Sequence, residues 1–248
     1  MTRNANPAPS IIKVMSIPHI AHAAPTEAED PDCLRPGEAT TLLSGHPWRR
    51  FAVLGDSVAE GVGHPTPGYS PLPFCDRIAA ELRAHQPDLA YLNLGLRELR
   101  AEQVQERQLA AALEFRPDLA LVVCGANDAM AIAYRPAKVD AALTAIVRAL
   151  QESGALVLTV GIFDISKAPC FSGKMRTLMG RRMRTLTTRT EEISRRLGTI
   201  HINCYGHPLE GDPGMYAADG LHGNMRSHQI FATVAIRLLG AHLNSVQM

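Results

Sequence analysis

The sequence lacks most of the features that would tie it to a metal, a cofactor, a membrane or a nucleic acid. Its five cysteines, Cys33, Cys75, Cys124, Cys170 and Cys204, are scattered, odd in number and never in C-x-x-C spacing. Neither a disulfide framework nor a zinc knuckle is therefore indicated. Cys124 and Cys204 fall in or beside strand-like apolar runs, where a thiol behaves as a small hydrophobe, and a reducing, cytoplasmic setting is expected. No apolar run is long enough to span a bilayer, so no stable membrane insertion is expected. Nor is one sign of charge in excess: 25 Lys and Arg against 24 Asp and Glu leave a formal net charge of +1, which gives no bulk attraction to nucleic acid. Among the histidines there is no H-E-x-x-H, no G-x-x-x-x-G-K-[ST] loop occurs, and Gly61-Val62-Gly63 lacks the third glycine of a dinucleotide fingerprint. No metal and no cofactor are called for.

What is present suits one large domain of ordinary composition in 248 residues, with no internal repeat. Residues 1–47 hold seven prolines and no sustained period, and read as a disordered or loosely packed tail. Within it, Ile11 to Ala24 ends in a sequence loosely like a signal-peptide cleavage site, but Lys13, Pro18 and His19 interrupt its apolar stretch. A tail is the expectation there, with a secretion signal as the minor alternative. The folded unit is expected over 48–248.

From Trp48 onward, short apolar runs alternate with helical periods. Strands are expected at Phe51–Leu54, Leu89–Leu94, Leu119–Cys124, Ala155–Val160 and Thr199–Asn203. Between them, Phe74, Ile78 and Leu82, then 102–115, then Val139, Leu143, Ile146 and Leu150 mark helices. After a loop over 163–174, a further helix carries Met179, Met183, Leu186, Ile193 and Leu197 on one stripe, and Ile230 to Leu239 belong to a closing helix. The stretch 181–196 also holds six arginines, but Glu191 and Glu192 interrupt the charge and no aromatic residue interleaves it, so it reads as a solvated helix face. Alternation of this kind argues for an α/β fold, a parallel sheet with helices on both faces.

One stretch organises the rest: Phe51 to Gly63. Four apolar residues break at Gly55, present Asp56 and Ser57, and pass into a segment able to start a helix. A serine at such a corner exposes its hydroxyl at a strand's carboxyl end, where open α/β sheets place ligands, with its amide at a helix N-terminus. Ser57 with Glu60 is equally a capping box, and on this tetrapeptide alone capping is the simpler reading. Two distant segments change the balance. After the third strand comes Gly125-Ala126-Asn127-Asp128, which sets an Asn amide level with the Ser corner. Before the last helix comes Asp219-Gly220-Leu221-His222, in which the Asp can orient the His ring and leave its other nitrogen free as a base. Either segment alone is explained as well by a turn; together with Ser57 they form a nucleophile, a base, an orienting carboxylate and an oxyanion donor.

These segments resemble the blocks of the SGNH (GDSL-type) hydrolases, in the manner of an intracellular bacterial member, over about residues 49–242. Gly55-Asp56-Ser57 with Glu60-Gly61 matches the first block, Gly125-x-Asn127-Asp128 the third and Asp219-x-x-His222 the fifth. The resemblance implies a three-layer α/β/α sandwich, flavodoxin-like, with five parallel strands. It implies Ser57 as nucleophile, His222 as base and Asp219 as its orienter, with the Asn127 side chain and the Ser57 N–H holding the oxyanion. The implied activity is that of a serine esterase or acyl hydrolase on a carboxylic ester or thioester; an acyltransferase with the same residues, or a weakened binding protein on the same fold, are the alternatives. The implied partner is a small acyl ester, with no nucleic acid. One block departs: the second-block Gly, whose N–H completes the oxyanion hole, is replaced by Glu98, and Gly95 lies three residues too early. Either backbone N–H is a candidate third donor. The Glu98 carboxylate is expected to turn outward or to pair with Arg97.

Overall fold

The computed structural model describes residues 25–246. Five parallel strands form one sheet in the order β2-β1-β3-β4-β5. They are β1 (Arg50–Gly55), β2 (Ala90–Asn93), β3 (Leu119–Val123), β4 (Leu156–Gly161) and β5 (Ile200–Asn203). The three inner strands are the uninterrupted apolar runs: Phe51 to Leu54, all of β3 and Val157 to Val160 are buried on both faces, as a sheet covered on two sides requires. The edge strands β2 and β5 are only partly covered. This is the flavodoxin-like order, with its ligand crevice expected at the carboxyl ends of β1 and β3, where the winding reverses.

Among the described residues eight α-helices surround the sheet: α1 (Glu38–Leu42), α2 (Ser57–Glu60), α3 (Phe74–His85), α4 (Ala101–Phe115), α5 (Ala126–Met130), α6 (Pro136–Glu152), α7 (Gly173–Leu197) and α8 (Met225–Val246). Of these, α1, α3 and α8 pack together, and α4, α6 and α7 pack together, giving the two outer layers. The stripes expected from sequence are the buried faces: Val139, Leu143, Ile146 and Leu150 on α6, and Met179, Met183, Leu186 and Ile193 on α7. The loop expected over 163–174 contains a short 3-10 helix, Ile165–Lys167.

The folded unit starts ahead of Trp48, which corrects the expected boundary. Residues 25–47 lie packed along α3 and α8, with Cys33 and Leu43 buried. The buried Asp30 carboxylate accepts from Arg226 Nε at 2.7 Å and from the Tyr69 hydroxyl at 2.6 Å, and Glu27 pairs with Arg77 at 2.8 Å. Single anchors of this sort, spread between prolines, leave no period to detect. The stretch Ile11 to Ala24 lies outside the described residues.

Candidate active site

The corner after β1 is built by close approach. A Cβ on Gly55 would stand 2.2 Å from the Val123 carbonyl oxygen, so only glycine lets β1 end against β3 there. Gln108, buried under the corner, holds both backbone groups of Gly55: its Oε1 accepts from the Gly55 N–H at 2.8 Å and its Nε2 donates to the Gly55 carbonyl at 2.9 Å. Gln108 sits on the buried stripe of α4 with Val104 and Ala112, and a lone polar residue on an apolar stripe was the available signal for it.

The capping reading of Ser57 does not hold. The N-cap of α2 is Asp56, whose Oδ1 accepts from the Val58 N–H at 3.1 Å. Glu60 does not turn back either; its carboxylate takes the Arg97 N–H at 2.6 Å and the Arg97 guanidinium. The other Asp56 oxygen, Oδ2, is buried without a partner, and burial pushes this carboxyl up to about 7. Ser57 is left with its hydroxyl free and its N–H at the first helical position, where no carbonyl four residues back is in the helix.

That hydroxyl meets His222. Ser57 Oγ lies 3.0 Å from His222 Nε2, and His222 Nδ1 lies 2.6 Å from Asp219 Oδ2. The other Asp219 oxygen accepts from the Leu221 and His222 N–H groups at 2.9 and 3.0 Å, so one carboxylate folds the turn and orients the ring. Partial burial pushes the Asp219 carboxyl up, but the bonds from the His222 ring and the two amides outweigh it and hold it below its ordinary range. With Nδ1–H donating to a charged carboxylate, Nε2 keeps a lone pair for the serine proton.

Other histidines near the cleft are otherwise engaged. His228 Nδ1 accepts from the Phe74 N–H at 3.2 Å and Nε2 faces the Val62 carbonyl at 3.3 Å, while burial pushes the ring down to about 4, so it stays neutral. His207 Nδ1 accepts from the Leu209 N–H. His64 contributes its backbone carbonyl to Met225.

Asn127 enters from the β3 side on α5. Its Nδ2 donates to the Leu99 carbonyl at 3.0 Å, which fixes the amide and leaves its second N–H unbonded among the described residues, and Asn127 lines the cleft with Ser57 and His222. Of the two candidates for a third donor, Gly95 is excluded: its N–H is taken by Asn93 Oδ1 at 2.9 Å. Its lack of a Cβ serves packing, since a Cβ would stand 2.2 Å from the Glu60 nitrogen. Glu98 is exposed and sits at φ 69°, the left-handed conformation that glycine adopts most readily, and its N–H has no hydrogen-bond partner among the described residues. Its side chain turns outward; the expected pairing with Arg97 is absent, because Arg97 is bound to Glu60.

Two expected results follow from this side of the site. Asn127→Ala lowers kcat by roughly 10²–10³-fold at little change in KM, the loss of one preorganised donor; steady-state kinetics on an aryl ester measure it, and a rise in KM alone would make Asn127 a substrate-binding residue. Glu98→Gly relieves a left-handed residue and preserves or raises turnover of a neutral ester, with Tm unchanged or higher. Glu98→Gln shares any gain in rate if the negative charge is its cause. Loss of activity in both variants, with folding intact, would make the Glu98 side chain a working part of the site.

The cleft itself holds about 680 Å³ of free space, its open mouth included, and is walled chiefly by Val62, Phe74, Met130, Phe163, Leu221 and Phe231 around the Ser57–His222 pair. Fold and site together are an α/β sandwich that carries a Ser57–His222–Asp219 chain at the carboxyl edge of its sheet. The profile of the GDSL-like Lipase/Acylhydrolase family matches residues 53–230, and the chain belongs to that family. In sequence, no curated protein is significantly similar. In fold, the chain is similar to the acetylxylan esterase Axe2 from Geobacillus stearothermophilus, with a TM-score of 0.60 at 18% identity over 79% of this chain and 95% of that one. It is similar to the psychrotrophic esterase EstA from Pseudoalteromonas sp., with a TM-score of 0.62 at 18% identity over 79% and 99%. It is also similar to LAE5, an alpha/beta hydrolase enzyme from the metagenome of Lake Arreo, with a TM-score of 0.61 at 19% identity over 79% and 96%.

Proposed function

We propose that the protein is a serine esterase that works through an acyl-enzyme on a carboxylic ester or thioester with a partly apolar acyl group. The observation that carries this reading is the continuous chain from Ser57 Oγ to His222 Nε2 at 3.0 Å and from His222 Nδ1 to Asp219 Oδ2 at 2.6 Å. Ser57 attacks the substrate carbonyl and its proton passes to His222 Nε2, while Asp219 holds the ring and stabilises the imidazolium. The negative charge that develops on the carbonyl oxygen is met by the Ser57 N–H and the Asn127 side-chain amide, with the Glu98 N–H as third donor. His222 then protonates the leaving alcohol or thiol. Water attacks the ester of Ser57 with His222 again taking a proton, and the acid leaves as Ser57 recovers its own.

The apolar walls of the cleft support the acyl preference. Support also comes from Axe2, for which replacement of one serine or one histidine by alanine is described as a catalytic mutation, and from EstA, described as inhibited by monoethylphosphonate. The five free cysteines, four of them buried, fit a reducing compartment such as the cytoplasm. A fluorophosphonate probe tests the proposal: it labels Ser57 stoichiometrically, and purified protein hydrolyses members of a series of aryl esters of graded chain length. A protein that neither takes the probe nor turns over any ester in the series is not this enzyme.

A further inference from the structure

The basic helix singled out in the sequence has no part in the ester chemistry, and its geometry is unusual. Residues 172–178, which open α7, are exposed without a break, and burial begins only at Met179. Two of these exposed residues are large and apolar, Met175 at 53% and Leu178 at 39% exposure. From Gly173 to Thr190 the chain carries Lys174, Arg176, Arg181, Arg182, Arg184 and Arg189 and no acidic residue. Two of these cations are occupied: Arg189 pairs with Asp140, and Arg182 donates to the carbonyls of Ala129 and Ala131 at 2.8 and 2.7 Å and of Ile132 at 3.2 Å. Lys174, Arg176 and Arg181 have no ion-pair partner among the described residues.

Arg182 brings a third apolar residue to the same place. By helical spacing Leu178 and Met175 lie one and two turns above Arg182 on its own face, and Arg182 pins beside that face the turn bearing Ile132, which is 100% exposed. The turn is the end of α5, whose Met130 and Asn127 line the catalytic cleft. The start of α7 is held on the same rim, because the Cys170 N–H donates to the Gly220 carbonyl in the turn between Asp219 and His222. Ile132, Met175 and Leu178 thus form an apolar crest beside the mouth of an apolar cleft, flanked by unpaired cations.

We infer that this crest docks the protein on an anionic lipid surface, with the three apolar side chains entering the headgroup layer, Lys174, Arg176 and Arg181 facing lipid phosphates and carboxylates, and the cleft mouth held against the source of acyl chains. Apolar residues set among lysines and arginines are the pattern of interfacial binding. A nucleic acid is disfavoured as the partner, since aliphatic Ile, Met and Leu offer bases no stacking surface. No helix among the described residues is long and apolar enough to cross a membrane, so the contact is peripheral.

Co-sedimentation with vesicles of phosphatidylcholine mixed with phosphatidylserine, against pure phosphatidylcholine, tests this without reference to turnover; Ser57→Ala sediments as the wild type does. The wild type binds the mixed vesicles, and salt weakens the binding. Arg176→Gln with Arg181→Gln lowers the affinity by roughly thirtyfold, and Ile132→Ser with Met175→Ser and Leu178→Ser also releases the protein, while both variants hydrolyse a short soluble ester at the wild-type rate. Absence of wild-type binding, equal binding to uncharged vesicles, or retention by both variants overturns the inference. Tighter binding to single-stranded oligonucleotide, lost in the arginine variant and kept in the apolar one, assigns the surface to nucleic acid instead.

Discussion

Replacing Ser57 with alanine abolishes labelling by a fluorophosphonate and lowers turnover of an activated aryl ester by roughly 10⁵–10⁶-fold, the scale on which loss of a serine nucleophile is felt. The fold is expected to survive the change. Ser57 caps nothing: the first turn of α2 is satisfied by Asp56, and Glu60 is engaged with Arg97, so the loss of about 1 kcal/mol that follows removal of an N-cap is not expected. Thermal unfolding and activity measured on the same preparation therefore separate the two roles a serine can have at this corner. A drop in Tm with activity retained would return Ser57 to a structural part and refute the mechanism.

His222→Ala produces a loss of the same order, since nucleophile and base act as a unit. Asp219→Asn is milder, roughly 10⁴-fold, because the ring can still be held but in the wrong tautomer. Asp219 adds a stability term of defined sign. Its carboxyl is held below the ordinary range in the folded protein, so its contribution is present above the unfolded value and is lost as pH falls through the folded one. Asp56 works in the opposite sense: its carboxyl is raised to about 7, so its contribution is full below the ordinary carboxylate range and fades as pH climbs to about 7. Full activity in His222→Ala would pass the base role to His64 or His207, although neither ring is bonded to Ser57.

The sheet was legible in the sequence because its inner strands are buried on both faces and so appear as unbroken apolar runs between turn signals. The grouping of Ser57, Asn127, Asp219 and His222 was legible for a topological reason: each directly follows a strand or precedes the last helix, and parallel winding brings all such points to one edge. Gln108 was not legible, because its task is to hold the backbone of Gly55, fifty-three residues away, and a pattern on one helix does not name its partner. The left-handed backbone at Glu98 was foreshadowed only by the resemblance, which puts a glycine there; the glutamate itself carries no sign of it. The packed segment before Trp48 escaped because isolated anchors such as Asp30 and Cys33 have no spacing rule.

The long reach of those anchors bears on how the molecule assembles. Asp30 bonds Arg226 and Leu34 bonds Thr233, contacts that join positions 196 and 199 residues apart. Contacts of such separation close large loops, at an entropic cost that slows folding. Residues 25–47 leave the ribosome ahead of the sheet, yet their seat on α8 exists only after Met225–Val246 has been synthesised. Arg226 lies four residues beyond His222, so the turn that presents the imidazole to Ser57 is secured by the same event. Docking of residues 25–47 and the seating of the His222 turn are, in this architecture, coupled through Arg226.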